Sequence, residues 1–249
     1  METVSLFNYL VAAYFGLILG NFATSFYFRI PRSIPILGFN YFNSVPPHCS
    51  HCKHPLKLKE FAPIVGYLLC RGKCNYCSAK IDQNYFIIEA FSLALSLFCY
   101  SQFYFLDWYL IFMLFGISSL VMSIVLQKHQ KVEQKFIGCV IICGAIYSTL
   151  VDMGIYDWVF KLAMSSIASI LVIQYSYKHS VINKYLELFK ILFVAFIWFD
   201  LNLMMPYALF ILTSYFLFIR YQFIFAKYIY HYSYLIMFFI ILINHLAKV

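Results

Sequence analysis

Long apolar stretches separated by short polar breaks run through almost the whole chain. They fall at 4–27, 86–106, 108–127, 135–151, 157–176, 184–199, 201–219 and 226–247. Each approaches the roughly 20 residues that a helix needs to cross a bilayer, so the pattern predicts about eight transmembrane helices. One polar island interrupts it, from Arg29 to Asn84. The expected organisation is a first transmembrane helix over 1–28, a loop over 29–84 and a seven-helix membrane domain over 85–249. The second and third segments touch at Asp107, and the sixth and seventh at Asp200, which places each acid in a tight turn. Gly16 and Gly20 make a small-xxx-small face suited to close helix packing; two glycines by chance in an apolar helix would read the same.

Composition strengthens the membrane reading. Only 11% of the 249 residues are charged, against about 25% in a soluble domain, while 63% are hydrophobic and 21% aromatic. These figures exclude a soluble globule, a disordered chain, a collagen-like repeat and a small disulfide scaffold. The net charge of +8 would suggest nucleic acid in a soluble protein. Here its placement assigns it to topology, because Lys and Arg accumulate in cytoplasmic loops. With the N-terminus outside, 16 of the 18 basic residues fall on the inner side and only Lys161 and Lys248 outside. The outer turns carry Asp107, Asp152, Asp157 and Asp200. The expected fold is therefore an all-α polytopic membrane protein with the polar island in the cytosol and the bilayer, not nucleic acid, as partner. The opening Met1-Glu2-Thr3 lacks a basic region, so the first segment reads as a retained helix rather than a cleaved signal.

The island holds Cys49-Ser50-His51-Cys52 and Cys74-Asn75-Tyr76-Cys77, with 21 residues between the pairs. Each Cys-x-x-Cys sets two thiolates on one tight knuckle, and two knuckles complete a tetrahedral four-sulfur site that selects zinc, less often iron. Lys53 and Lys73 would offset its negative charge. Disulfides do not suit a loop in a reducing compartment. So small a loop has little core of its own, and the metal would be part of its stability. His48, His51 and His54 are alternative ligands, although four sulfurs already saturate the ion. Cys70 reads as a buried or free thiol, and Cys99, Cys139 and Cys143 as small hydrophobes between helices.

These residues, in their order, resemble a known family. Phe15-Gly16 through Asn21-Phe22, Arg29-Ile30-Pro31, Pro46-Pro47-His48-Cys49-Ser50-His51-Cys52, Pro63 through Cys77, then Ile81, Tyr85 and Glu89 look like the N-terminal half of the bacterial prepilin peptidases, or type IV leader peptidases. The resemblance covers residues 11 to 92. It implies an eight-helix inner-membrane protein with a cytosolic zinc loop between its first two helices. It implies an enzyme core over 85–249 that cleaves leader peptides from type IV pilins and type II secretion pseudopilins. It also implies, for many members, N-methylation with S-adenosylmethionine.

Hydrolysis in that family requires two aspartates at cytosolic helix ends, one carboxyl accepting a proton from water while the other, protonated, polarises the scissile carbonyl. Aligned on the apolar segments, Leu126 falls at the first position and Leu188 at the second, where Tyr185-Leu186-Glu187-Leu188-Phe189-Lys190 replaces the glycine-flanked motif. No catalytic residue is assigned. The expectation is a member that binds prepilins or partner proteins without cleaving them. The alternative is an active peptidase using Glu133 and Glu187 or another misaligned pair. Glu89, a lone acid just inside the second apolar segment, reads as a structural or substrate-positioning group with Lys or Arg partners. Phe61-Ala62-Pro63 and Gly66 replace more polar family residues, which weakens the implied methylation.

Overall fold

The computed structural model describes residues 2–34, 46–104, 107–132, 134–150, 156, 159–161, 163, 182–198 and 201–247. Its named helices are α1 (Glu2–Arg29), α2 (Val65–Leu69), α3 (Gln83–Phe103), α4 (Asp107–His129), α5 (Gln134–Leu150), α6 (Ile182–Trp198), α7 (Leu201–Tyr221), α8 (Ile224–His231) and α9 (Ser233–Leu246). Among the described residues there is no β-strand, only two isolated bridges in the cysteine loop. Helices cover seven of the eight expected apolar segments. Most of the segment 157–176 lies outside the described residues, as do Glu133, Asp152, Asp157 and Asp200.

Among the described residues, four helices are long and apolar enough to cross a membrane: Leu6–Arg32, Gln83–Phe103, Asp107–His129 and Leu203–Tyr221. A fifth span arises if α8 and α9 count as one. The sequence predicts one continuous helix over 226–247, but the structure bends by 64° between α8 and α9. A break in a spanning helix frees backbone groups that lipid cannot satisfy. Side chains of neighbouring helices take them here. The Leu235 N–H donates to Ser123 Oγ at 3.3 Å, and the Tyr207 hydroxyl donates to the Ser233 carbonyl at 3.0 Å. Those partners come from α4 and α7, so the apolar pattern of 226–247 alone does not reveal the bend.

The chain divides into two compact units, Met1–Met113 and Leu114–Val249. In the first, α1 runs until Pro31 opens a 3-10 turn. Asp82 caps α3 by accepting the Asn84 N–H at 3.1 Å, as an N-cap carboxylate should. The two expected small residues of α1 meet α3 directly. A Cβ at Gly16 would lie 2.6 Å from Ser96 Cβ, and one at Gly20 would lie 3.1 Å from Glu89 Cα. That approach lets Ser96 Oγ donate to the Ala12 carbonyl at 2.6 Å. Gly16→Leu is accordingly expected to cost about 1–3 kcal/mol by overpacking, read as a lower unfolding midpoint in detergent; an unchanged midpoint would mean that α1 does not dock on α3. Asp107 begins α4, where a carboxylate suits the positive end of the helix dipole, so the expected division between segments holds there.

In the second unit, Trp198 organises the core. It stacks on Phe115 with centroids 4.0 Å apart and donates Nε1–H to the Val140 carbonyl at 3.1 Å. Gly144 leaves the space, since a Cβ there would meet Trp198 Nε1 at 3.0 Å.

Candidate metal centre

Both Cys-x-x-Cys segments fold into the same local shape. In the first, Cys49 N–H donates to the His54 carbonyl and Lys53 N–H to the Cys49 carbonyl, each at 3.0 Å. In the second, Cys74 N–H donates to the Ala79 carbonyl and Ser78 N–H to the Cys74 carbonyl, each at 2.9 Å. The residue after each second cysteine turns the chain with positive φ, 60° at Lys53 and 58° at Ser78. A non-glycine residue there costs about 1–2 kcal/mol. Both knuckles accept it, and each folds its cysteine pair onto one side.

The result is a cluster. The sulfurs of Cys49, Cys52, Cys74 and Cys77 all lie within 4.8 Å of one another, and Cys49 Sγ stands 3.9 Å from Cys77 Sγ. A tetrahedron with metal–sulfur bonds of about 2.3 Å has edges of about 3.8 Å, so these four thiols can hold one ion. The structure brings together the four residues that the spacing singles out. Two of the three neighbouring histidines face backbone carbonyls instead. His48 and His54 direct Nδ1 at the carbonyls of Pro46 and Pro55, at 2.9 and 2.8 Å, and His54 stacks on Tyr76 with centroids 3.5 Å apart. That stack ties the first knuckle to the second.

The thiols are unequal. Backbone N–H groups of Cys77 and Tyr76 face Cys74 and lower it to about 7. Cys77 receives the Ala79 N–H, which lowers it, but burial and the neighbouring thiols outweigh this and push it up to about 11. At neutral pH the metal-free cluster therefore keeps protons that a divalent ion must displace. Metal affinity is expected to rise as the pH is raised from about 6 to about 8, measured by competition with a chromophoric chelator; a flat profile would contradict thiolate ligation.

The link between the knuckles is fastened by Glu60. Its carboxylate accepts the Lys57 N–H at 2.8 Å and the Asn75 amide at 3.0 Å, and these hold it below the ordinary carboxylate range. Gly66 has a steric role that its sequence did not disclose: a Cβ there would lie 2.5 Å from the Glu60 carbonyl oxygen. Cys70 stays outside the cluster and accepts an N–H from Asn75 at 3.3 Å. Glu89 is buried, but its partner is not the expected Lys or Arg. It accepts the Ile64 N–H at 2.6 Å and thereby attaches the loop to α3.

The second unit holds the two leucines that the sequence reading sets opposite the family's acid pair. Leu126 on α4 and Leu188 on α6 are both buried, at 0% and 7% exposed. Beside Leu188, Glu187 is also buried. One oxygen accepts the Val132 N–H at 2.8 Å and the other meets Lys190 Nζ at 2.7 Å. Lys190 in turn donates to the Val132 carbonyl at 2.8 Å. The two charges on α6 thus grip both backbone groups of one residue in the α4–α5 connection. Nearby, Tyr232 OH donates to Gln127 Oε1 at 3.0 Å, and Gln130 Nε2 lies 2.9 Å from His231 Nε2. Glu187 and Lys190 stand three residues apart in the sequence, but their shared backbone partner leaves no mark there.

Residues 14–103 match the model of the bacterial peptidase A24 N-terminal domain. Among curated proteins, the chain is 33% identical over 107 residues to a prepilin leader peptidase/N-methyltransferase of Vibrio cholerae, covering 41% of this chain and 40% of that protein. It is 31% identical over 107 residues to one of Neisseria gonorrhoeae, covering 36% and 37%. It is 40% identical over 50 residues to one of Stutzerimonas stutzeri, covering 19% and 17%. The matches thus span two fifths or less of these relatives' length. No solved structure matches the chain. The paired knuckles, the glycine face between α1 and α3 and the acid joining loop to helix all lie within the matched residues, so the likeness to the prepilin leader peptidases rests on this N-terminal domain.

Proposed function

We propose that this chain is an inner-membrane member of the prepilin peptidase family that binds zinc but has lost leader-peptide cleavage. Its remaining role is to bind prepilin or pseudopilin helices, or partner proteins, in type IV pilus or type II secretion biogenesis. One observation carries this reading: the positions aligned with the acid pair are buried leucines, and both oxygens of nearby Glu187 are engaged by Val132 and Lys190. Cleavage through Glu187 and Glu133 would require Glu187 to give up both contacts. Zinc rests on Cys49, Cys52, Cys74 and Cys77, whose all-sulfur donor set favours it over harder ions. S-adenosylmethionine rests on family resemblance alone.

The accompanying topology has eight spans, with the first over 1–28, the zinc loop over 29–84 in the cytosol and the membrane domain over 85–249. The distribution of Lys and Arg supports it. Co-expression with an epitope-tagged prepilin in a host lacking its own prepilin peptidase tests the binding role. The unprocessed precursor is expected to co-purify with this chain from detergent-solubilised membranes. Recovery no greater than for an unrelated membrane protein of equal abundance would contradict it.

A further inference from the structure

A cavity of about 240 Å³ opens in the first unit between the C-terminal half of α1, the start of α3 and the cysteine loop. Phe28, Phe61, Tyr67 and Tyr85 are among the residues that line it, and Asn21 and Glu89 contribute polar groups. Glu89 is only 7% exposed. Its Oε2 accepts the Ile64 N–H, and its Oε1 has no protein partner among the described residues. The Asn21 side-chain amide is likewise without one among those residues. Gly20, the residue before Asn21, lets α1 approach the Glu89 backbone, and both side chains line the same cavity.

A carboxylate in such surroundings is costly unless its charge is met and its lone pairs are filled. One neutral backbone N–H does neither in full. Arg29 and Lys80 border the cavity on its loop side, but among the described residues no cation pairs with Glu89. The missing complement is a cation that brings its own N–H donors. Electron-rich aromatic walls favour the same charge and accept an apolar body attached to it.

We propose that this cavity binds a primary ammonium carried on an apolar body, with its N–H groups donated to Glu89 Oε1 and Asn21 Oδ1. The ammonium belongs to a free small amine or to the headgroup of an aminolipid, since the cavity sits where a span meets its polar loop. The site stands whether or not the chain cleaves a leader peptide.

Calorimetric titration of the full chain in choline-lipid nanodiscs tests this, with phenethylamine as probe and 2-phenylethanol as its uncharged counterpart. Saturable binding of the amine and none of the alcohol is expected. Glu89→Gln keeps an acceptor for Ile64 and should weaken the amine by about tenfold or more, equivalent to about 1.4 kcal/mol. Asn21→Ala, which leaves the Ile64 contact untouched, should weaken it several-fold and guards against a folding defect in the first variant. Retained metal content and unfolding midpoint identify folded variants. Repeating the titration with ethanolamine lipid separates the sources. Competition identifies the headgroup and its absence a free amine, and both agree with an ammonium site. No saturable amine binding by the wild type, equal binding of the alcohol, or unchanged affinity in both folded variants would overturn it.

Discussion

Cys74→Ser is expected to abolish zinc binding at the proposed four-cysteine site and to loosen the loop around it. Cys74 is buried and is the most readily ionised of the cysteines whose acidity is perturbed in the cluster. A hydroxyl in its place neither ionises at neutral pH nor offers a soft donor. Structural zinc contributes on the order of 10 kcal/mol in small zinc domains, so losing one of four ligands should lower affinity by several orders of magnitude. Elemental analysis of protein purified in detergent should give one zinc per chain for the wild type and little for the variant, with a lower unfolding midpoint. Cys70→Ser is the matched control. That sulfur lies outside the cluster, so zinc should stay at the wild-type level. Equal loss in both variants would mean that the assigned four are not the ligands.

Glu187→Ala is expected to produce the largest loss of stability in the second unit. It removes the acceptor for the Val132 N–H and strips Lys190 of its carboxylate. Both side chains are nearly buried, at 13% and 8% exposed for Lys190 and Glu187. Breaking a buried pair by deleting one member costs about 3–5 kcal/mol. Urea unfolding in detergent should show the drop, and Glu187→Gln should be milder because an amide still accepts the Val132 N–H. The double variant with Lys190→Ala should lose less than the sum of the single changes, as partners in one network do. A neutral Glu187→Ala would mean that this carboxylate is solvated rather than committed, and so available for chemistry.

Legibility in the sequence followed the range of the interactions. The four cysteines were readable because a metal knuckle is a local device: four residues with fixed donors fold onto themselves wherever they occur. Gly16 and Gly20 were readable as a face but not as a contact; Ser96 and Glu89, which fill the space, lie far along the chain in α3. Glu89 stood out as an acid in an apolar segment, yet its actual partner is the N–H of Ile64, where φ is 62°. Backbone groups leave no mark in a sequence, which is why the grip of Glu187 and Lys190 on Val132 was also invisible. The bend between α8 and α9 was hidden for the same reason. Residues 226–247 look uniformly apolar, and the groups that stabilise the break are Ser123 and Tyr207 on other helices. Gly66 illustrates the opposite error. As a letter it looked like a lost polar group, whereas in three dimensions it is a place where the Glu60 backbone leaves no room.

The proposed function holds that this chain, similar to the prepilin peptidases over residues 14–103, cleaves no leader peptide. The direct measurement is a cleavage assay in membranes that contain this chain and no prepilin peptidase, with a prepilin whose leader peptide is released as a resolvable fragment. The account predicts full-length prepilin after an incubation in which an active relative processes it completely. Release of the leader peptide by this chain would contradict the account, and loss of that release in Glu187→Gln would show which carboxylate had been misjudged.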